Sequence, residues 1–113
     1  MVTINLPRIA YKSKSREEFF GRLWRMVQIA KNSLEIKRKV IETETARGLY
    51  PYAAHYLRHV HARTGQYWYN HFNTIGIIGM NEACMNLFGP ETDLTSPEGQ
   101  AFAIEVMDYL RAE

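Results

Sequence analysis

The fold depends first on the stretch FNTIGIIGMNEAC, residues 72–84. Residues 74–78 are β-branched except for Gly76, which favours a buried strand. Gly79 can supply the unusual φ of a sharp turn, and Asn81 is a suitable N-cap for a following helix. The pattern therefore predicts a strand, a tight turn and a helix. In α/β folds, ligands bind at the loops that follow the carboxyl ends of strands.

Composition limits the classes of protein that fit. A chain of 113 residues leaves room for one domain, residues 1–113, and 46% hydrophobic residues can form a packed core. The net charge of +2 is too small to indicate a nucleic-acid partner. No apolar run reaches the ~18 residues of a membrane span, and Pro7 and Arg8 interrupt any signal peptide. We therefore expect a cytoplasmic protein with no membrane partner.

A first strand is predicted at residues 2–6, where apolar and polar residues alternate. Pro7 cannot donate a ladder hydrogen bond, so residues 8–11 are expected to stay extended or to turn. Thr3 and Asn5 share the polar face of the strand. This face is either exposed to solvent or lines a polar cavity. Because the strand begins directly after Met1, we expect a partial domain.

A long helix is predicted from about Arg16 to Arg47. Ser15 and Glu18 form a capping box at its start, and Gly48 is the expected stop. Its apolar stripe consists of Phe19, Leu23, Met26, Val27, Ala30, Leu34 and Ile41, widened by Phe20, Trp24, Ile36 and Val40. The basic run at residues 37–39 is expected to be a solvated face rather than a phosphate site.

Residues 49–70 carry weaker signals. Residues 53–63 are expected to form one short helix, with a break at Thr64 and Gly65. His55 and His59 are four residues apart and could share a zinc ion, but ordinary histidines are preferred because no cysteine or carboxylate is near in sequence. The tyrosines and arginines of this segment could stack nucleic-acid bases, yet packing against helices is the preferred interpretation.

The end of the chain is predicted to be helical. One helix ends at Gly89, and Ser96 with Pro97 begins another. Cys84 is the only cysteine, which excludes an internal disulfide, and a small buried apolar residue is the expected role. The order of elements predicts a helix-rich α/β unit of βαβ type, with the long helix as the crossover if the strands are parallel. Two strands leave edges that other chains can pair with.

Four segments resemble the anaerobic (class III) ribonucleoside-triphosphate reductases: TINLPRIAY at 3–11, LEIKRKV at 34–40, GLYPY at 48–52 and residues 72–84. The resemblance covers nearly the whole chain in order. It implies an internal fragment of a catalytic domain that is a ten-stranded α/β barrel. It also implies reduction of ribonucleoside triphosphates to deoxyribonucleotides, for DNA precursor synthesis, with formate or a thiol system as reductant.

The same resemblance implies a glycyl radical, installed by an iron–sulfur and S-adenosylmethionine activase, and a structural zinc bound by four cysteines. No residue here matches these sites, and Cys84 does not match the cysteine that carries the family's thiyl radical. We therefore assign no catalytic residue, metal ligand or cofactor to this chain and expect it to be inactive alone. The implied partners are the remainder of the barrel, a ribonucleoside triphosphate and a second copy pairing through strand edges.

The resemblance also suggests where substrate lies. Thr3 and Asn5 would face the barrel interior near the ribose. The turn from Gly79 to Asn81 would offer backbone N–H groups to the substrate, because a helix N-terminus favours anions; simple turn chemistry is the alternative. Two other functions stay open at this point: a non-catalytic protein-interaction module that retains part of the reductase fold, and a small nucleic-acid binder.

Overall fold

The structure is a computed structural model that describes all 113 residues. Its elements are β1 (Val2–Asn5), α1 (Leu6–Lys12), α2 (Arg16–Ala46), α3 (Pro51–Tyr56), α4 (Arg58–Thr64), β2 (Ile75–Ile78), α5 (Met80–Phe88) and α6 (Pro97–Ala112). The predicted helix-rich α/β character is confirmed. None of the helices combines the length and the apolar composition that crossing a membrane requires.

The two strands form one parallel sheet. The register pairs Val2 with Ile75 and Asn5 with Ile78. Helices α1 to α4 lie between the strands in sequence, so the long helix α2 belongs to the connection between two parallel strands. The βαβ order predicted from the sequence is therefore present.

Residue contacts divide the chain into two compact units. The sheet unit consists of residues 2–30 and 75–113, and the helical unit consists of Met1 and residues 31–74. Helix α2 contributes its first half to the sheet unit and its second half to the helical unit.

The core of the sheet unit lies between one face of the sheet and four helices. It is formed by Ile4, Leu6, Ile9, Ala10, Phe19, Leu23, Val27, Ala83, Cys84, Phe102 and Val106. Phe102 of α6 is its aromatic centre, with ring centroids 5.2 Å from Phe19 and 5.0 Å from Phe88 in edge-to-face geometry. Such pairs add roughly 0.5–1.5 kcal/mol each to the effect of burial.

The apolar stripe of α2 is narrower than the sequence suggested. Phe19, Leu23, Val27, Ala30 and Leu34 are buried as predicted. The prediction that Trp24, Ile36 and Val40 widen this stripe was wrong, because all three side chains are exposed. Met26, which was predicted to belong to the stripe itself, is also exposed. A single helix face covers an arc of little more than about 100°, so residues outside that arc stay uncovered however apolar they are.

The expectation of an extended or turning segment at residues 8–11 was wrong, because α1 occupies this position. Asn5 begins the helix by accepting a hydrogen bond from the Arg8 N–H at 3.0 Å. Pro7 lies in the first helical turn, where no intrahelical N–H is needed. Proline thus starts a helix here instead of merely ending a strand.

The start of α2 has the predicted capping box. The Glu18 N–H donates to Ser15 Oγ at 3.2 Å. The Glu18 carboxylate accepts from the Lys14 N–H at 2.9 Å and from the Arg22 guanidinium at 2.8 Å. These contacts, the Lys14 N–H foremost, hold the pKa of the Glu18 carboxyl below its ordinary value.

This capping arrangement predicts a pH-dependent stability. Because the folded-state pKa of Glu18 lies below the unfolded-state pKa, the stabilisation is complete above the unfolded value and is lost as pH falls through the folded value. We expect Glu18→Ala to lower Tm at neutral pH and the difference from wild type to close in acid. Thermal unfolding across a pH series measures this difference. Glu17→Ala removes a neighbouring exposed charge outside the capping arrangement; equal pH profiles for both variants would contradict the assignment.

One face of α2 in the helical unit holds the loop at residues 67–73. The Glu42 carboxylate accepts the backbone N–H groups of Tyr67, at 3.0 Å, and Trp68, at 2.6 Å. The Trp68 indole N–H donates to the buried Thr45 hydroxyl at 2.9 Å. Arg38 donates to the Trp68 carbonyl at 2.7 Å.

Arg38 also donates to the His71 carbonyl and to Asn73 Oδ1. The expected solvated face at residues 37–39 is therefore correct for the exposed Lys37 and Lys39 and wrong for Arg38. The planar guanidinium of Arg38 presents several N–H donors in a rigid fork, so one side chain can bind several acceptors of the loop at once.

The helix expected at residues 53–63 is divided in two. Leu57, with φ −96° and ψ 8°, separates α3 from α4. His55 and His59 therefore lie on different helices. Gly65 ends α4 with φ +81°, at the predicted break.

Candidate functional site

The carboxyl ends of both strands lie at one edge of the sheet, because the strands are parallel. β1 ends at Asn5 and leads directly into α1, and β2 ends at Ile78 and leads through Gly79 into α5. This edge, where two helices begin beside two strand ends, is the position at which α/β proteins bind ligands.

Gly79 is the tightest point of this edge. Its φ is +78°, and it is the N-cap of α5. A Cβ added there would lie 2.3 Å from Pro7 Cγ. Asn86 Nδ2 donates to the Pro7 carbonyl at 3.1 Å, a second contact between α5 and α1. The predicted turn at Gly79 is confirmed, and a side chain there would separate the two helices.

The assignment of Asn81 as N-cap was wrong, since Gly79 has that position and Asn81 lies inside α5. Asn81 Oδ1 instead accepts the Leu94 N–H at 2.9 Å. The side chain thereby holds the loop between α5 and α6. No side chain caps α5, so no capping side chain occupies the backbone N–H groups of its first turn.

The sheet has one face in the core and one open face. Ile4 is buried, whereas Thr3 and Asn5 are exposed. β2 was expected to be a buried strand, but Ile78 on the open face is 62% exposed. Gly76 is paired with Thr3, and a Cβ added to it would lie 3.5 Å from Thr3 Oγ1. The missing side chain leaves a shallow recess beside a hydroxyl group.

The polar part of the open face, formed by Thr3 and Asn5 beside the exposed Ile78, suits a polar, uncharged ligand group. The Thr3 hydroxyl can donate and accept, and Asn5 keeps its amide NH₂ as a donor while its oxygen caps α1. Hydroxyl groups of a sugar are complementary to this set. The structure therefore brings Thr3 and Asn5 together on one face and places Gly79 at the adjacent edge.

Sequence analysis missed Glu82 as a member of this edge. It is exposed in the first turn of α5, and its Oε2 would lie 3.5 Å from a Cβ on Gly79. A carboxylate at this place accepts hydrogen bonds from hydroxyl groups and repels phosphate. The only available signal was an acidic residue three positions after Gly79, in the first turn of a predicted helix.

Cys84 is buried in the core, with its Sγ 3.8 Å from the Gly99 carbonyl. Burial raises the pKa of its thiol, so the thiol stays protonated at neutral pH and is a weak nucleophile. The structural zinc implied by the resemblance does not fit these residues, because it needs four thiolates and the sequence has one cysteine. No group of three or more His, Cys, Asp or Glu side chains is placed to hold a metal ion.

Comparison with known proteins identifies the family. The family model for anaerobic ribonucleoside-triphosphate reductase matches residues 1–113, every residue of the chain. No match was found among curated proteins or among solved structures. The family match confirms the resemblance that the four sequence segments suggested. The chain belongs to the anaerobic ribonucleoside-triphosphate reductase family.

Proposed function

We propose that this chain forms part of the catalytic barrel of an anaerobic ribonucleoside-triphosphate reductase and that the open face of its sheet contacts the ribose. The observation that carries the proposal is the open face itself, where Thr3 lies beside the recess at Gly76 and Asn5 is the next residue of β1 on the same face. The family match over all residues supports the choice of substrate.

In this proposal the side chains of the chain bind and orient the sugar. Asn5 donates its amide N–H to a ribose hydroxyl, and Thr3 accepts from or donates to another. The backbone N–H groups after Gly79 contact the substrate at the sheet edge. Glu82 selects a hydroxyl group over a phosphate at that edge, because its carboxylate is negatively charged.

Cys84 does not fit the cysteine on which the family's radical chemistry depends, because it is buried and protonated. In this proposal the chain's own residues bind and position the substrate and take no part in the radical chemistry. We propose that the isolated chain does not turn over ribonucleotides.

The sheet edges indicate where the rest of the barrel attaches. Each strand is paired on one side only, which leaves an unpaired backbone edge on β1 and another on β2. We propose that further barrel strands pair with these edges, and that the isolated chain associates with itself through them instead. Sedimentation of the isolated chain tests this, since a compact monomer at all concentrations would contradict it.

The ribose contact is tested in an assembled, active reductase that contains this chain. Asn5→Asp keeps the oxygen that caps α1 but removes the amide N–H donors. We expect turnover of ribonucleoside triphosphate to fall by about tenfold or more, the effect of losing one substrate hydrogen bond and adding a charge, while Tm stays close to that of wild type.

Asn81→Asp is the matched control, because Asn81 Oδ1 accepts the Leu94 N–H and aspartate keeps this acceptor. We expect this variant to keep most of the activity, since the side chain of Asn81 holds a loop. Unchanged turnover in the Asn5→Asp enzyme would contradict the proposed contact between Asn5 and the substrate.

A further inference from the structure

A cavity in the sheet unit lies between the start of α2, the end of α5 and one face of α6. It has a volume of about 400 Å³ and is lined by Arg16, Phe88, Glu98, Ala101, Phe102 and Glu105. We call it the aromatic groove. Its four residues from α6 are spaced by three, one and three positions, so they lie on one face of that helix.

The floor of the aromatic groove consists of two phenylalanine rings. Phe102 is buried, and Phe88 packs on it edge to face with ring centroids 5.0 Å apart. Phe88 is 42% exposed, so part of its side chain is open to the groove. Ala101 is exposed beside these rings. Because the side chain of Ala101 is only a methyl group, it leaves room above the aromatic floor.

The charges of the aromatic groove are unequal at its two ends. Glu105 is paired with Arg16, whose guanidinium also lies 5.9 Å from the Phe20 ring centroid. Glu98 is exposed and has no ion-pair partner. One cation and two carboxylates leave the groove with an excess of negative charge, although the chain as a whole has a net charge of +2.

The unpaired carboxylate is well separated from the ion pair. Glu98 and Glu105 are seven residues apart on α6, which corresponds to roughly 10 Å along the helix axis. This separation exceeds the Debye length of about 8 Å at physiological ionic strength. A ligand cation beside Glu98 would therefore feel little repulsion from Arg16.

We propose that the aromatic groove binds a small organic cation, with its ammonium or guanidinium group at the Glu98 carboxylate and its apolar body over Phe88, Ala101 and Phe102. Such a cation is attracted by the carboxylate and by the negative face of an aromatic ring. An anion would be repelled by Glu98, and an uncharged ligand would remove water from that carboxylate without replacing it. The volume is within the range of about 300–1,000 Å³ that holds a small molecule.

The aromatic groove is separate from the ribose contact proposed above. Gly79 and Phe88 lie at opposite ends of α5, and Thr3 and Asn5 belong to β1. No residue of the groove belongs to that contact. The cation is therefore expected to bind to the isolated chain, whether or not the ribose contact is correct.

Titration of the 113-residue chain, followed by amide chemical shifts, tests the class of ligand. Benzylammonium, benzyl alcohol and benzoate carry the same ring with a positive, a neutral and a negative group. We expect benzylammonium to bind about fivefold or more tightly than benzyl alcohol, and benzoate to bind more weakly than either. The shifted signals should lie around Phe88, Glu98 and Ala101. Equal affinities for the three probes, or shifts confined to the helical unit, would overturn the proposal.

A basic side chain of another protein is the alternative occupant of the groove. The acetylated and amidated tripeptide Gly-Lys-Gly carries an ammonium group on such a side chain. We expect it to bind more weakly than benzylammonium, because its aliphatic stem has no ring to stack on the aromatic floor. Tighter binding of the tripeptide would assign the groove to a protein partner and overturn the small-molecule site.

The role of Glu98 is tested by a charge-matched pair of variants. Glu98→Gln removes the unpaired carboxylate, and Asp108→Asn removes an exposed carboxylate of the same helix outside the groove. We expect Glu98→Gln to weaken benzylammonium binding by about threefold or more and to leave benzyl alcohol binding unchanged, whereas Asp108→Asn changes neither. Equal losses of benzylammonium binding in both variants would show diffuse attraction and would overturn the site.

Filling the groove provides a test that leaves its charges in place. Ala101→Leu places a larger side chain above the aromatic floor, and Gln100→Leu places the same side chain at an exposed position of α6 outside the groove. Leucine is a good helix former, so Tm is expected to stay close to that of wild type in both. We expect benzylammonium binding to fall by about tenfold or more in Ala101→Leu alone. Unchanged binding in a folded Ala101→Leu chain would overturn the location.

Discussion

Replacing Gly99 with alanine is expected to destabilise the protein by about 3 kcal/mol or more. A Cβ at this position in α6 would lie 1.8 Å from the Asp93 carbonyl oxygen, a backbone atom that cannot move alone. The Gly99 N–H also donates to Ser96 Oγ at 3.1 Å, and its carbonyl faces the Cys84 thiol. Any shift of α6 that makes room for the methyl group therefore disturbs the helix cap and the core together.

Urea unfolding of Gly99→Ala measures the loss in free energy of unfolding. Gly21→Ala is the control, because it lies inside α2 with nothing within 4 Å of the added Cβ. The control is expected to gain about 0.5–1 kcal/mol from the higher helix propensity of alanine. Reaction of the Cys84 thiol with a thiol reagent should also become faster in Gly99→Ala. A Gly99→Ala variant as stable as the wild type would contradict the close packing of α6 against the Asp93 carbonyl.

The second large effect is expected for Gly79→Ala, which should lower the free energy of unfolding by about 2–4 kcal/mol. The left-handed φ of +78° costs an alanine roughly 1 kcal/mol or more. The remainder comes from Pro7, whose Cγ would lie 2.3 Å from the new methyl group. Separation of α1 from α5 would also move the sheet edge, so an assembled reductase carrying this variant should lose activity.

Gly65→Ala isolates the backbone part of this loss. Gly65 has nearly the same φ, +81°, but nothing lies within 4 Å of an added Cβ. We expect Gly65→Ala to lower the free energy of unfolding by about 1 kcal/mol. Pro7→Ala in the Gly79→Ala background should then recover part of the difference, as a double-mutant cycle measures. Equal losses at Gly79 and Gly65 would contradict the close contact with Pro7.

The elements with strong local signals were predictable from the sequence. The capping box at Ser15 and Glu18, the stop at Gly48 and the cap at Ser96 all depend on hydrogen bonds within one turn, which a sequence pattern specifies. Helix α1 was missed because Pro7 has two allowed roles, at a strand end or in a first helical turn. The capping hydrogen bond of Asn5 to Arg8 decides between them.

Properties that depend on distant residues could not be predicted. The exposure of Trp24 and Val40 reflects which face of α2 is covered, and local periodicity does not fix that choice. Asn81 was assigned as a cap because asparagine favours caps, yet its partner is Leu94, thirteen residues away.

The pairing of Val2 with Ile75 has a kinetic consequence. All of α1 to α4 must be synthesised before β1 can meet its partner, about 4–15 s at typical ribosomal rates of 5–20 residues per second. Loop-closure entropy makes such distant pairing slow even in the released chain. The helices are thus expected to form early and the sheet last, so refolding should show fast recovery of helical circular dichroism followed by slow burial of Ile4.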